Sequence, residues 1–296
     1  MLCKGENMPE AKIVFWDVNH GHAAYLKSPN GRHIVVDLGT GSYGSGDEFS
    51  PLDHLKEQYR ITQLDYVIIT HPHVDHIDNI FQFDGLNPKV LLRPKHLYKK
   101  PIIENASDTD KPKIEKYFEI SERYNTPIPD DSPNSPKNPI NWGGLEIKSY
   151  LPSACAQSNL NNHSVVMMFA FEGIRVLVPG DNEPPSWNEL KEMGGFLNNT
   201  KDVDVLLAPH HGRESGFDND TMKHFNPRLT VVSDGAYCDS SATDRYTAIS
   251  RGWAVYKQDG SSEKRFCLTT RNDGVVSISF GNSTEGKPFL HVKTGQ

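Results

Sequence analysis

The chain has 296 residues, of which 36% are hydrophobic and 23% charged, with a net charge of −7 and an isoelectric point near 6.0. This composition buries a substantial core and excludes wholesale disorder, and its acidic balance argues against a protein that coats nucleic acid with a basic surface. No apolar run approaches the ~18 residues of a membrane span, the N-terminus MLCKGENMPEAK has no apolar leader core, and Cys3, Cys155, Cys238 and Cys267 form no CxxC pair, so a cytoplasmic chain with free thiols is expected.

In chain order, residues 12–18 (KIVFWDV) read as a strand, AAYLKS after Gly21 as a second, and HIVVDLG after the PNG turn at 29–31 as a third, ending in a glycine-rich stretch at 39–46. A helix is expected over 51–59, with Leu52 and Leu55 inward. Residues 64–70 (LDYVIIT) are almost continuously apolar, as in a strand buried on both faces, and lead directly into HPHVDHIDNI. A strand at 89–94 and an amphipathic helix at 111–125 follow, the helix placing Ile114, Tyr117, Phe118 and Ile120 on one face. Residues 126–141, rich in Pro, Asn, Asp and Ser, read as a long loop and candidate lid.

The second half is again strand-rich. LEIKSYLP, SVVMMFAFEG and IRVLVPGD are three strands, followed by helices at 186–193 and 219–225 with DVDVLLAPHHG between them. RLTVVSDG follows, and strands at 253–256, 265–270 and 275–280 complete the pattern. The order predicts a layered α/β fold with mixed sheets, a single domain over 1–296 with its core from about residue 12 to 280, and no linker.

The candidate chemistry lies at strand ends. His71, His73, Asp75 and His76 fall within six residues of one another after a buried strand. Neutral imidazole is a common ligand of zinc and other transition metals, and His71 and His73, two apart, point the same way from extended backbone. Burying all four without a metal would leave several polar groups to satisfy. VLVPGD likewise ends at Asp181 and VLLAPHHG at His210 and His211, so three apolar strands deliver metal-type residues to one edge.

HPHVDH resembles the HxHxDH signature of metallo-β-lactamase-fold hydrolases, most of all the hydrolase domain of ComEC-type DNA-uptake proteins. The likeness runs from about residue 12 to 280 through FWDVNHGHAAYL, VVDLGTG, ITHPHVDHIDNI, NNHSVVM, VLVPGD, LLAPHHG and VVSDG, in that order. It implies a four-layer αββα sandwich holding two divalent ions. His71 and His73 would hold one ion, Asp75, His76 and His211 the other, and Asp181 would bridge them, with His210 beside His211 or exchanging roles with it. The chain departs from the family where a GHTxG-like stretch is usual: NLNNHSVV stands there, leaving Asn161, Asn162 or His163 to complete the first site. DVNHGH replaces DVGQGD, no histidine follows VVSDG (Asp239 or Asp244 are the nearest substitutes), and Arg213 follows HHG where serine is usual.

Two ions about 3.5–4 Å apart activate a water for attack on a carbonyl or phosphoryl centre, and Asp75, Asp181 and His211 are the candidate catalytic residues. Histidine and aspartate ligands suit zinc, with manganese or iron as alternatives. The expected substrate is a phosphodiester of DNA, RNA or a nucleotide, with Arg213 as a phosphate clamp and RPKHLYKK (Arg93, Lys95, His96, Lys99, Lys100) either neutralising phosphates or simply solvated. The alternatives are ester, lactone or thioester hydrolysis on the same metals, or a catalytically weak binding subunit of a larger complex. His20 and His22 are expected behind the ligands or at the surface, His33, His54, His96, His224 and His291 at the surface or in ordinary packing, and Trp142 and Trp187 at the cleft rim or packed.

Overall fold

The computed structural model describes residues 8–41, 49–235 and 241–295. The first half contains β1 (Glu10–Phe15), β2 (Ala24–Lys27), β3 (His33–Val36), α1 (Pro51–Glu57), β4 (Tyr66–Ile68), α2 (Val74–Ile77), β5 (Leu91–Leu92), α3 (Lys99–Asn105), α4 (Lys111–Arg123) and β6 (Glu146–Tyr150). The second contains β7 (Val166–Phe171), β8 (Ile174–Val178), α5 (Pro184–Glu192), α6 (Phe196–Thr200), β9 (Val205–Leu207), α7 (Asn219–Phe225), β10 (Leu229–Val232) and α8 (Thr243–Ile249). β11 (Trp253–Tyr256), β12 (Ser262–Arg265), β13 (Cys267–Thr269), α9 (Thr270–Asp273), β14 (Val276–Asn282) and β15 (Pro288–Thr294) complete it.

Alternation along the strands makes the layers. Ile13 and Phe15 of β1 join Met167, Phe169, Val176 and Val178 in the core between the sheets, whereas Val14 faces the first helix layer with Leu52, Leu55, Ile114 and Tyr117. Leu206 and Val232 face the other helix layer with Trp187, Met222 and Tyr246. The result is an αββα sandwich. One sheet has nine strands in the order β12-β11-β15-β14-β1-β2-β3-β4-β5, the other six in the order β13-β10-β9-β8-β7-β6. The helices start where side chains satisfy their first N–H groups: Ser50 accepts from Asp53 at α1, and Asp218 from Thr221 at α7.

β3 is parallel to β4, and β8, β9 and β10 are parallel, so within each sheet several carboxyl-terminal strand ends share one edge. There Val165 N–H donates to Thr70 O at 2.9 Å, tying the two sheets together, and His210 N–H donates to Gly180 O at 3.2 Å, joining the segments that follow β8 and β9 of one sheet.

The structure corrects several expectations. The strand expected over 265–270 is broken at Phe266, β12 lying in the nine-stranded sheet and β13 in the other; the crossing carries no Gly, Pro, Asn or Asp turn signal in the sequence. β15 extends the strand pattern beyond Phe280, and α3 and α8 were not anticipated. Trp142 and Trp187 are fully buried, their ring N–H groups donating to Ser135 O at 3.0 Å and Gly216 O at 3.1 Å, so neither rims a cleft. Segment 126–141 covers the side of the sandwich between β5 and β6, over a cavity of about 900 Å³ lined by Leu91, Ile128 and Ile147.

Candidate metal centre

Each strand end is locally prepared. After β3, Asp37 takes a left-handed backbone (φ 57°) and its carboxylate accepts from Thr70 N–H and Thr70 Oγ, both at 2.7 Å. After β4, His71 is fully buried, His73 stands just before α2, and Asp75 and His76 lie in its single turn. Gly39 lets the preceding loop press against this turn, since a Cβ there would sit 2.5 Å from Asp75 O. After β8, Asp181 N–H donates to Ser164 Oγ at 3.0 Å. After β9, His210 and His211 both adopt left-handed backbone (φ 49° and 53°), a conformation costing of order 1–3 kcal/mol per non-glycine residue and retained where the surroundings impose it.

These ends converge. His71 Nε2 lies 3.0 Å from His73 Nδ1 and 3.9 Å from Asp181 Oδ2. Asp181 Oδ2 is 3.3 Å from both His76 Nε2 and His211 Nε2, which are 3.3 Å from each other. His211 Nε2 is 3.2 Å from Asp75 Oδ2. One set of potential ligand atoms comes from His71, His76 and Asp181, and another from His20, Asp75 and His211, the atoms of each set lying within 4.8 Å of one another.

The far side of each ring decides what the near side offers. His211 Nδ1 faces Ser233 O at 3.1 Å; a carbonyl only accepts, so Nδ1 carries the proton. His76 Nδ1 lies 2.8 Å from the Asp37 carboxylate. In their neutral forms both rings therefore aim an Nε2 lone pair at carboxylates, an arrangement that requires a cation or a second proton. Without a metal the proton is favoured. Burial opposes charge on His211, but Asp181 and Asp75 outweigh it and push its pKa up to about 10. Burial opposes charge on His76 too, and Asp181, Asp37 and Asp75 raise it well above the usual range. Burial raises Asp181, but His76 and His211 hold it well below the carboxylate range. Divalent ions would satisfy the same donors, so the residues present fit a metal pair.

The remaining candidates divide. His163 is fully buried, with its Nδ1 2.8 Å from Nε2 of the half-buried His96. Asn162 Oδ1 accepts from Glu183 N–H at 3.2 Å. Of the three residues at the motif gap, Asn161 and His163 each keep a buried atom without a hydrogen-bond partner, Oδ1 and Nε2 respectively. His210 points to Glu183 Oε1 at 3.1 Å and Ser215 Oγ at 2.8 Å. Arg213 stays at the site, a guanidinium nitrogen 3.2 Å from His20 Nε2, and His20 in turn lies 3.4 Å from Asp75 Oδ2. His22 is buried, 3.0 Å from Asp37. Asp244 is exposed on α8, and Asp239 lies outside the described residues.

Arg93 is a correction: it is buried, donating to Ser121, Tyr124 and Asn125, so it holds α4 in place and meets no phosphate. The residue that sequence reasoning missed is Asp37. Its signal was present in VVDLG, an apolar strand ending in an acid before glycine, the same pattern that marked Asp181. Beside His73 and Asp75 opens a cavity of about 620 Å³ whose lining includes no Lys or Arg.

A sequence model described as the Metallo-beta-lactamase superfamily matches residues 16–187. No curated protein matches the chain. Among solved structures, CmlA, a diiron beta-hydroxylase from Streptomyces venezuelae, is 14% identical with a TM-score of 0.42, over 77% of this chain and 46% of its own. A long form RNase Z from yeast is 11% identical with a TM-score of 0.43, over 92% of this chain and 42% of its own. The short form of human tRNase Z is 14% identical with a TM-score of 0.35, over 71% and 80% respectively. This chain thus spans under half the length of the first two.

Proposed function

This chain belongs to the metallo-β-lactamase superfamily, and from that premise we propose that it is a hydrolase that uses two divalent ions, zinc foremost, to cleave phosphodiester bonds. The observation that carries the metal reading is the pair of imidazoles whose Nε2 atoms face each other and Asp181 at 3.3 Å while their Nδ1 atoms are held by Asp37 and Ser233 O. His71, His73 and Asp181 would hold one ion and Asp75, His76, His211 and Asp181 the other; at the motif gap, Asn161 Oδ1 and His163 Nε2 are the buried atoms left without a partner. Bound there, the ions supply Lewis acidity and lower the pKa of water.

The chain's own residues do the rest. Asp37 fixes the orientation of His76, Ser233 O that of His211, and Ser164 Oγ, 3.2 Å from His71 Nδ1, that of His71. Asp75 Oδ2 lies 3.2 Å from His211 Nε2 and 3.4 Å from His20 Nε2, so its carboxylate would hold an ion together with His211 and accept a hydrogen bond from His20. Arg213 supports the phosphodiester choice, because a guanidinium beside the site pairs well with a phosphate oxygen. The lining of the adjoining cavity, free of Lys and Arg, favours the second reading, hydrolysis of an uncharged ester, lactone or thioester.

Turnover of bis(p-nitrophenyl) phosphate, p-nitrophenyl acetate and a small lactone separates the two readings. The phosphodiester reading expects phosphodiester turnover that falls about 10–100-fold in Arg213→Ala, the worth of one or two charge-assisted hydrogen bonds, with a weaker salt dependence. Turnover confined to the acetate and lactone, unchanged in Arg213→Ala, overturns it.

A further inference from the structure

Resting on the phosphodiester reading, we propose that the cavity beside His73 and Asp75 is a nucleobase subsite: it receives the uncharged heterocycle next to the scissile phosphate. His73 and Asp75 form part of its wall, so a group held there lies against the metal centre. Its volume of about 620 Å³ falls within the roughly 300–1,000 Å³ of small-molecule sites.

The lining defines the chemistry of the guest. Pro101, Ile102, Ala106, Ile114 and Leu160 give apolar walls, which suit the face of a ring. Asp110 is the lining carboxylate besides Asp75, and there is no Lys or Arg to balance it. Asp110 occupies the N-cap position of α4 but makes no side-chain capping bond, so its carboxylate remains available to the cavity. Nearby Lys111 and Lys113 are paired with Asp108 and Asp78. A second anion would be repelled here, which places the phosphate at the metals and Arg213 and leaves the cavity to a neutral group.

The polar groups suit a nucleobase better than a plain acyl chain. Asn105 and Ser158 contribute amide and hydroxyl groups, and Asp110 accepts N–H donors. An acyl chain would lie against these groups without satisfying them. A nucleobase has an apolar face and N–H and carbonyl edges, and answers both. Gln157 is the fixed point of this wall: its amide accepts from Tyr98 N–H and donates to His96 O, both at 3.0 Å, which pins residues 96–98 to the rim.

The test compares, within each protein, kcat/KM for nucleoside 5′-(p-nitrophenyl phosphates) and for methyl p-nitrophenyl phosphate, using metal-loaded wild type, Ala106→Phe and Asp110→Asn. The wild type should prefer at least one nucleoside ester by about tenfold or more, the worth of one hydrogen bond to a charged group. Ala106→Phe, which fills a partly exposed position, should bring the ratio close to one, and Asp110→Asn should lower it. A wild-type ratio near one, or a preference that both variants retain, overturns the subsite. Binding of adenosine, guanosine, cytidine and uridine, followed by calorimetry, gives a readout that does not depend on the bond cleaved. If no phosphodiester is turned over, the phosphodiester reading fails, and saturable nucleoside binding that weakens in Ala106→Phe still supports the subsite, whereas no binding of any of the four overturns it.

Discussion

Asp181 and Glu183 lie two residues apart after β8 at the same sheet edge, Asp181 among several imidazoles and Glu183 beside one imidazole and two amides, and the two clusters behave oppositely. Around Glu183 the neighbours donate: Asn159 Nδ2 at 2.7 Å, Asn161 Nδ2 at 3.4 Å and His210 Nδ1 at 3.1 Å. That carboxylate is satisfied by protein alone. Around Asp181 the imidazoles have committed their Nδ1 atoms elsewhere, to Asp37 and to Ser233 O, and turn Nε2 toward it. The same residue types thus make a closed hydrogen-bond network in one place and an unsatisfied cage in the other. What distinguishes a metal-ready histidine is the acceptor on its far nitrogen, more than its burial or its place in a motif.

Substitutions sharpen this contrast. The largest effect is expected at Asp181→Asn: turnover should fall roughly 10³-fold, because the metal pair it would bridge is worth several kcal/mol to the transition state. Asp37→Asn should follow, lowering metal affinity or turnover about 10–100-fold although Asp37 touches neither ion, since it orients His76 and is answered by Thr70 and His22. Titration of the variant with zinc, monitored alongside turnover, reads both quantities. Glu183→Gln should be mildest, under about tenfold, the loss of an ordinary hydrogen bond, with metal content unchanged. If Glu183→Gln lost metal as Asp181→Asn does, the two clusters would be one site and the contrast would be wrong.

Much of this was legible in the sequence for identifiable reasons. His71, His73, Asp75 and His76 share one short segment after a buried strand, so their convergence needs only local geometry. Asp181 and His211 required the further step that parallel strand ends meet at one edge, which the β8–β9–β10 ladder provides. The choice between His210 and His211 was not legible, because it depends on two consecutive left-handed residues that swing one ring to Glu183 and the other to Asp181. His163 was no easier to place: its Nδ1 pairs with His96, 67 positions away, a pairing that no local pattern announces, while its Nε2 stays buried without a hydrogen-bond partner. Arg93 reads as a basic surface residue beside lysines, yet its guanidinium closes the carboxyl-terminal end of α4. The break at Phe266 and strand β15 were missed because the sheets, not the local pattern, decide where those segments pair.

Metal content per chain, measured on wild type and Asp181→Asn after exhaustive dialysis against buffer with trace zinc, tests the central claim most directly. The account predicts about two ions per wild-type chain and fewer than one in the variant, with Glu183→Gln matching the wild type. A wild-type chain that retains no metal, or an Asp181→Asn chain that retains the full complement, would contradict it.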